Sequence, residues 1–502
     1  MPSNSYDLVV LGDDIAALVC ATLCARRGMR TLVLGDDRPA RYTLGPHKLP
    51  VEPVLWPVGA GTPGERVLKE LHAELALRRK LREPKIAAQL VAPDLRIDLG
   101  ADRLAGELAR EIGSAADGWI ERWSKGADVA RALDPLLGAD IEFPPLAGFF
   151  KNRDTTKLIE KAADDAAAWW KDTQGQRHAR IWRHLAAIVL RHPDGTPAAI
   201  ARALDQWRAG PAALRGDAES LRELLVEKLS TAGGEVRSGK VAELVVSWSK
   251  ITSLVLVNGD DIGAGQVVSS RPPAELAALL GKKAPKRLTE LADGSRVIGY
   301  RYVLNVVIDE AGLPEHMAPT VAVVAAPDED PVGDAAFSIH VGETDDSGRV
   351  VATVAAVLPT DGAVEAERIL PKVTALRARL WNRLGEVMPF FDRHLVLAHS
   401  PHEPTPPQVP GGRGSYDVPR NLPVAMVPVW RGGGDEAVDA VAGGTMTYAT
   451  GLKNLTLTGD QMLPVFGLEG ALTAGWSAAK VACGNAGKKK DYLRDEVVGA
   501  SG

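Results

Sequence analysis

The chain has 502 residues, 45% of them hydrophobic and 25% charged, the balance of a globular protein and too long for one ordinary core. Its 59 basic and 64 acidic residues sum to −5, which excludes a general nucleic-acid binder, whose phosphate contacts need a basic face. No run of about 18 apolar residues exists, so no transmembrane helix is expected, and no secretory signal pattern precedes Tyr6.

Tyr6–Leu11 is a short apolar run of strand type that stops at Gly12. From Asp14 to Arg27 the pattern turns helical. Ile15, Leu18, Val19, Thr22 and Leu23 form one face, and Ala16, Ala17 and Ala21 a thin side for close packing. Arg26 and Arg27 suit the negative end of the helix dipole, and Gly28 stands where a helix-ending glycine belongs. Arg30–Leu34 reads as a second strand, so the opening strand–helix–strand predicts a parallel sheet. Cys20 and Cys24 lie four apart on that helix and read as small core residues. With Cys483 they form no CxxC pair, which points to a reducing, cytoplasmic compartment.

Residues 61–135 and 151–230 are rich in helix formers, the latter holding Trp169, Trp170, Trp182 and Trp207 at helical spacing, a pattern typical of core. From Glu235 the period changes to two. Val241–Trp248, Lys250–Val257 and Ile262–Ser269 read as successive strands, with Asn258-Gly259-Asp260-Asp261 as a tight turn. Tyr300–Asp309, Thr320–Ala326, Ala336–Val341 and Val350–Val357 continue the strands, and Ile369–Val387 is an amphipathic helix stopped by Pro389. Residues 401–435 are dense in proline and glycine, including Gly411-Gly412-Arg413-Gly414 and Gly432-Gly433-Gly434, and read as surface loop. Leu455–Thr458 is a last strand and Gly470–Ala482 a last helix. Lys488-Lys489-Lys490 reads as a solvated tail, with peripheral membrane contact as the other reading.

Gly12-Asp13-Asp14-Ile15-Ala16-Ala17 occupies the place of a G-x-G-x-x-G turn between strand and helix. The first glycine survives as Gly12, and the third is the tolerated Ala17. The second is Asp14, which brings side chain and negative charge toward a bound pyrophosphate. Two unit charges at about 4 Å interact by roughly 4 kcal/mol at an effective dielectric of 20. The ribose-binding acid expected at the end of the second strand is Gly35, with Asp36 and Asp37 following. Near the other end, Gly459-Asp460 and Gly467-Leu468-Glu469-Gly470 place a carboxylate and a helix N-terminus after a strand, groups suited to a cofactor's hydroxyls and electron-rich ring. No HExxH, G-x-S-x-G or Walker loop is present. His399 and His402 are a weak metal pair, so no metal site and no catalytic residue is assigned, and His47 reads as a surface histidine.

Taken in order, Gly12, Leu18, Ala21, Gly28 and Thr31–Leu34 resemble the opening of the phytoene-desaturase and amine-oxidase type of FAD-dependent oxidoreductase. Leu221–Leu229, Gly233-Gly234-Glu235-Val236, Val241, Leu254–Leu256 and Ala264–Ser269 resemble that family's central segment. Met388-Pro389-Phe390-Phe391 resembles its helix-ending proline. Asn454–Asp460 with Gly467–Ala471 is similar to its C-terminal flavin segment. The family's Pro-Gly-Gly-Arg appears only as Arg38-Pro39-Ala40-Arg41. The resemblance implies FAD with Gly12 at the phosphate turn, Asp36 on the ribose, Arg41 on the pyrophosphate and Val241 beside the adenine. It further implies Gly459 and Asp460 at the ribityl chain, and Gly467, Leu468 and Gly470 beside the flavin.

The resulting expectation is an α/β fold. A Rossmann-like FAD/NAD(P)-binding domain is discontinuous over residues 1–60, 210–285 and 420–502, and a mixed α+β substrate domain covers 61–209 and 286–419. The function implied is an FAD-dependent oxidoreductase acting on a hydrophobic small molecule, isoprenoid, carotenoid-like or amine, in a tunnel lined by Trp- and Leu-bearing helices. The rival is a scaffold that has lost its cofactor and binds or escorts an apolar ligand, as the resemblance to Rab escort and GDP-dissociation-inhibitor proteins implies. Asp14 and Gly35 favour the rival, Asp460 and Gly467–Gly470 the enzyme.

Overall fold

β1 (Asn4–Leu11) is buried on both faces from Leu8 to Leu11, which is why it reads as a continuous apolar run rather than an alternating one. The computed structural model describes residues 4–56, 62–82, 84–100, 103–138, 143–145, 153–360, 366–410, 416–433 and 436–488. The Gly411–Gly414 run, Gly434 and Lys489-Lys490 lie outside them. α1 (Ile15–Arg26) starts on Asp14, whose side chain accepts from the Ala17 amide, and Gly28 follows its end at φ 76°. β2 (Thr31–Gly35) then pairs parallel with β1, as the sequence predicts.

The first sheet runs in the order Val241–Ser247, Lys250–Leu256, Asp261–Ser269, β1, β2, Glu235–Ser238. The strand Leu455–Leu457 joins Asp261–Ser269 in parallel, so the sheet gathers chain from the start, middle and end of the sequence. Its register positions the site. Leu11 stands opposite both Ser269 and Leu34, and Ser269 opposite Leu457. Gly12, Asp36, Ser270 and Thr458 therefore leave the sheet at one edge, its carboxyl edge, where ligands of open α/β sheets bind.

α1 lies against the last helix (Gly467–Asn485) through its thin alanine side. A β-carbon on Gly475 would stand 2.4 Å from the Ala16 carbonyl oxygen, so the two helices touch backbone to backbone. All three cysteines are buried and unbonded, with Cys24 Sγ 3.7 Å from Cys483 Sγ across the same contact.

The second sheet has eight strands, ordered Leu395–His399, Arg296–Asp309, Arg349–Pro359, Ala336–Val341, Thr320–Val324, Ala88–Ala92, Leu95–Leu99, with Val427–Arg431 on the long strand Arg296–Asp309. All its pairs are antiparallel except Thr320–Val324 with Ala88–Ala92. Three of these strands, in two segments, correct the sequence expectation. Ala88–Leu99 is a hairpin inside a stretch expected to be helical, and Val427–Arg431 is a strand inside expected loop. In each case the edge of a sheet built elsewhere recruits the segment, and local propensity is overridden.

The helices between residues 104 and 209 pack around Trp123, Trp182 and Trp207, which are almost fully buried, with Trp119 and Trp169 against Trp182. The tryptophan stripe is core, as its spacing predicts. Among the described residues no helix is long and apolar enough to cross a membrane.

Candidate functional site

A cavity of about 530 Å³ opens at the carboxyl edge of the first sheet and reaches the second. One end is built by the turns that follow three parallel strands: Gly12–Asp14 after β1, Asp36 after β2, and Ser270–Arg271 after Asp261–Ser269. The other end is walled by Val51, Val54, Leu55, Ile188, Met426, Trp430 and Leu468, with Glu52, Arg191, Arg301, His340 and Asp460 among them.

At the first end the turns are locked together by backbone bonds. Gly12 N donates to Leu34 O at 2.9 Å, Ser270 N to Leu11 O at 2.9 Å, and Thr458 N to Ser269 O at 2.8 Å. Gln461 Nε2 donates to the carbonyls of Thr458, Ser270 and Arg271, fixing the last loop over the other two. Three acids crowd this edge. Asp13 pairs with Arg222, and Asp36 Oδ1 accepts from Arg271 Nη2 at 2.5 Å. Asp14 has no cationic partner among the described residues. Its Oδ1 accepts from Ala17 N at 2.8 Å. Burial, and then the neighbouring Asp460 carboxylate, push the Asp14 carboxyl up to about 7, against the pull of the Ala17 amide and the Ser270 hydroxyl.

At the second end Arg301 Nη1 bridges two carboxylates, donating to Asp460 Oδ2 at 2.8 Å and Glu52 Oε1 at 3.0 Å. Arg191 joins them, 2.7 Å from Glu52 Oε1 and donating to Pro53 O at 3.0 Å. Arg191 ends the helix Arg177–Leu190 in the left-handed region, at φ 57°, a conformation that costs a non-glycine residue free energy. Burial works against the charge of Glu52, yet Arg191, Arg301 and Arg38 outweigh it and hold the carboxyl down at about 2. Burial lowers Arg191 to about 10 in spite of Glu52. His340 is lowered to about 3 by burial and then by Arg191, so it is neutral, with Nε2 2.9 Å from Ser338 Oγ.

Of the residues singled out in the sequence, Gly12, Asp36, Asp460, Gly467 and Leu468 line this one cavity, although they come from both ends of the chain. The other four do not. Arg41 turns away to Asp217 and Glu219, and Arg38, three residues earlier, faces the cavity instead. Val241 lies in the core opposite Leu256. Gly459 is behind the cavity against Ser270 and Asp14, and Gly470 packs on Leu463. His47, expected at the surface, is buried in the hairpin Arg41–Pro50. His399 and His402 are both buried, and burial lowers each to about 4. Sequence reasoning missed Glu52, Arg191 and Arg301. The nearest signal was Arg191, a charged residue ending a helix without a glycine.

The residues at the first end do not fit the phosphates of FAD. The fold would seat them on the free amides of α1, where Asp14 now caps the helix with its own carboxylate. The second end fits better, since the N-terminal residues Gly467 and Leu468 of the last helix face the cavity. There, however, the Asp460 carboxylate is already engaged by Arg301.

No family model matches the sequence, and no curated protein matches it. Solved structures are similar in fold. An oxidoreductase from Methanosarcina mazei aligns with 94% of this chain and 99% of its own at 12% identity and a TM-score of 0.58. A putrescine oxidase variant redesigned in cofactor binding aligns with 95% and 98% at 14% identity and a TM-score of 0.57. A Rab GDI from Plasmodium falciparum aligns with 96% and 98% at 11% identity and a TM-score of 0.54. The chain therefore has the fold of these oxidoreductases, mixed α/β with a Rossmann-like sheet that pairs parallel around β1 and β2 and antiparallel between Val241–Ser247, Lys250–Leu256 and Asp261–Ser269, and the Rab GDI shares it. At such identity the likeness carries the fold alone.

Proposed function

We propose that this protein uses a flavin-oxidoreductase scaffold to bind a hydrophobic small molecule in the cavity, without FAD. The observation that carries the reading is the Glu52–Arg301–Asp460 bridge. It pairs the charges at the second end with one another, so a ligand entering there meets chiefly apolar wall. The polar groups are then met in pairs and the affinity comes from apolar surface removed from water. The visible absorption spectrum of the purified protein, followed by titration with a neutral apolar fluorophore, tests it. Saturable binding that Leu468→Arg abolishes is expected. Flavin bands near stoichiometry, or no binding of the fluorophore, would overturn it.

A second reading is an FAD-dependent oxidoreductase of desaturase or amine-oxidase type, acting on an isoprenoid or carotenoid-like substrate. The observation favouring it is that Gly467 and Leu468 share the cavity with Gly12 and Asp460. In that case flavin would supply the hydride chemistry and these residues its seat. The same spectrum separates the two.

A further inference from the structure

A dinucleotide in this type of fold brings its pyrophosphate against the glycine turn, where the second glycine lets backbone approach, and onto uncapped amides at the start of the helix. Both are taken here. Gly12 has φ 99°, and a β-carbon on it would stand 2.2 Å from Ser270 Oγ, so a side chain fills the space that the glycine leaves. Gly459, at φ 101°, faces the same pair, its β-carbon position lying 3.0 Å from Ser270 Cβ and 3.3 Å from Asp14 Oδ2. Ser270 Oγ is held by Leu11 O at 3.3 Å, and Asp14 Oδ1 by Ala17 N at 2.8 Å.

We propose that Asp14 and Ser270 are built-in occupants of the phosphate seat, and that together they exclude dinucleotides from this chain. The inference deepens the cofactor-free reading and rests on it. The division of labour follows from the contacts. Ser270 excludes by volume, since its hydroxyl stands in the gap over Gly12. Asp14 excludes by charge and by competition for the helix. Asp13, Asp36 and Asp460 each have an arginine partner, Arg222, Arg271 and Arg301, whereas Asp14 has none among the described residues. An incoming pyrophosphate thus meets one carboxyl group that no cation among the described residues offsets. Burial holds the Asp14 carboxyl up at about 7, so its charge opposes the pyrophosphate chiefly above that pH, while its cap on the Ala17 amide does so throughout.

The test is a titration with FAD at about pH 8.5, above the Asp14 titration, read by flavin fluorescence and calorimetry, on the wild type, Asp14→Asn, Asp14→Gly and Asp14→Gly/Ser270→Gly. Circular dichroism checks that each is folded. The wild type should show no saturable binding at high micromolar FAD. Asp14→Asn keeps a good helix cap while removing the charge, so it should bind detectably, and the double variant at least about a hundredfold more tightly than the wild type. Tight FAD binding by the wild type overturns the inference, as does a folded double variant that takes up none. Should the double variant fail to fold, Asp14→Asn decides alone: a gain supports the assignment and no gain overturns it. The apolar fluorophore is titrated into the same samples. Its failure to bind the wild type refutes the cavity reading, while the variants still report on Asp14 and Ser270.

Discussion

The carboxylate of Asp13 lies over Gly35: a β-carbon on Gly35 would stand 2.6 Å from Asp13 Oδ2. Position 35 ends β2, where the fold ordinarily offers a ribose-binding acid. In this chain the acid comes from the turn after β1 instead, and Arg222 neutralises it. Gly35→Asp should therefore press a second carboxylate onto Asp13 and destabilise the protein by about 1–3 kcal/mol, the usual cost of overpacking. Asp13→Gly/Gly35→Asp should recover most of the loss. Urea denaturation of the four proteins in the cycle measures the coupling, and strict additivity would show that the two positions do not meet.

Asp14 should make stability fall as pH rises. Its carboxyl moves from 3.8 to about 7 on folding, so between those values the native state holds a proton that the unfolded state has released. Its contribution is full below about pH 4 and is lost as pH climbs through about 7. Asp14→Asn should flatten that part of the Tm–pH profile and raise Tm most above pH 7. Asp460→Asn should shift the same decline to lower pH, because Asp460 is the second cause of the rise. Unchanged profiles in both variants would remove Asp14 from the account.

How much of this was legible in the sequence depends on range. β1, α1 and β2 were readable because each is set by its own neighbours: the apolar run, the alanine side, Gly28. The convergence of Gly12 with Asp460 and Gly467 was readable through the order of short motifs. The Glu52–Arg191–Arg301–Asp460 group was not, since no spacing links residues that only the cavity brings together. Arg38 and Arg41 show the finest limit. Both follow β2, and the hairpin starting at Arg41 decides which of them is carried away to Asp217.

Arg202 and Glu469 tie the helix Pro197–Ala209 to the first turn of the last helix. Arg202 Nε and Nη2 donate to the two Glu469 oxygens at 2.7 and 2.9 Å, and Nη1 to Asp134 Oδ1 at 2.8 Å. Both partners are almost fully buried. Glu469→Ala would leave a buried guanidinium short of its main partner, at a cost of about 3–5 kcal/mol. Arg202→Met/Glu469→Leu should cost less, because the uncompensated charge goes too. Thermal denaturation ranks the variants, and a double variant weaker than Glu469→Ala would contradict the assignment.

Glu52 links the energetics of the cavity to what it accepts. Its carboxyl falls from 4.5 to about 2 on folding, so its contribution is present above about pH 4.5 and is lost as pH drops toward 2, opposite in sense to Asp14. Glu52→Gln keeps the shape but leaves Arg191 and Arg301 with only Asp460 between them. Losing hydrogen bonds to a charged acceptor should cost about 1.5–3 kcal/mol, reduced somewhat where the side chains reach solvent. The cavity also gains one positive charge against its apolar wall. A fluorophore carrying a carboxylate should then bind more tightly to the variant than to the wild type, while an uncharged analogue of the same shape should not. The expected split is about tenfold, the effect of about 1.4 kcal/mol. Parallel titrations of the two fluorophores into both proteins provide the measurement. Equal changes for both would mean that the Glu52–Arg301 pair does not face the ligand, and that the apolar wall alone decides what this protein binds.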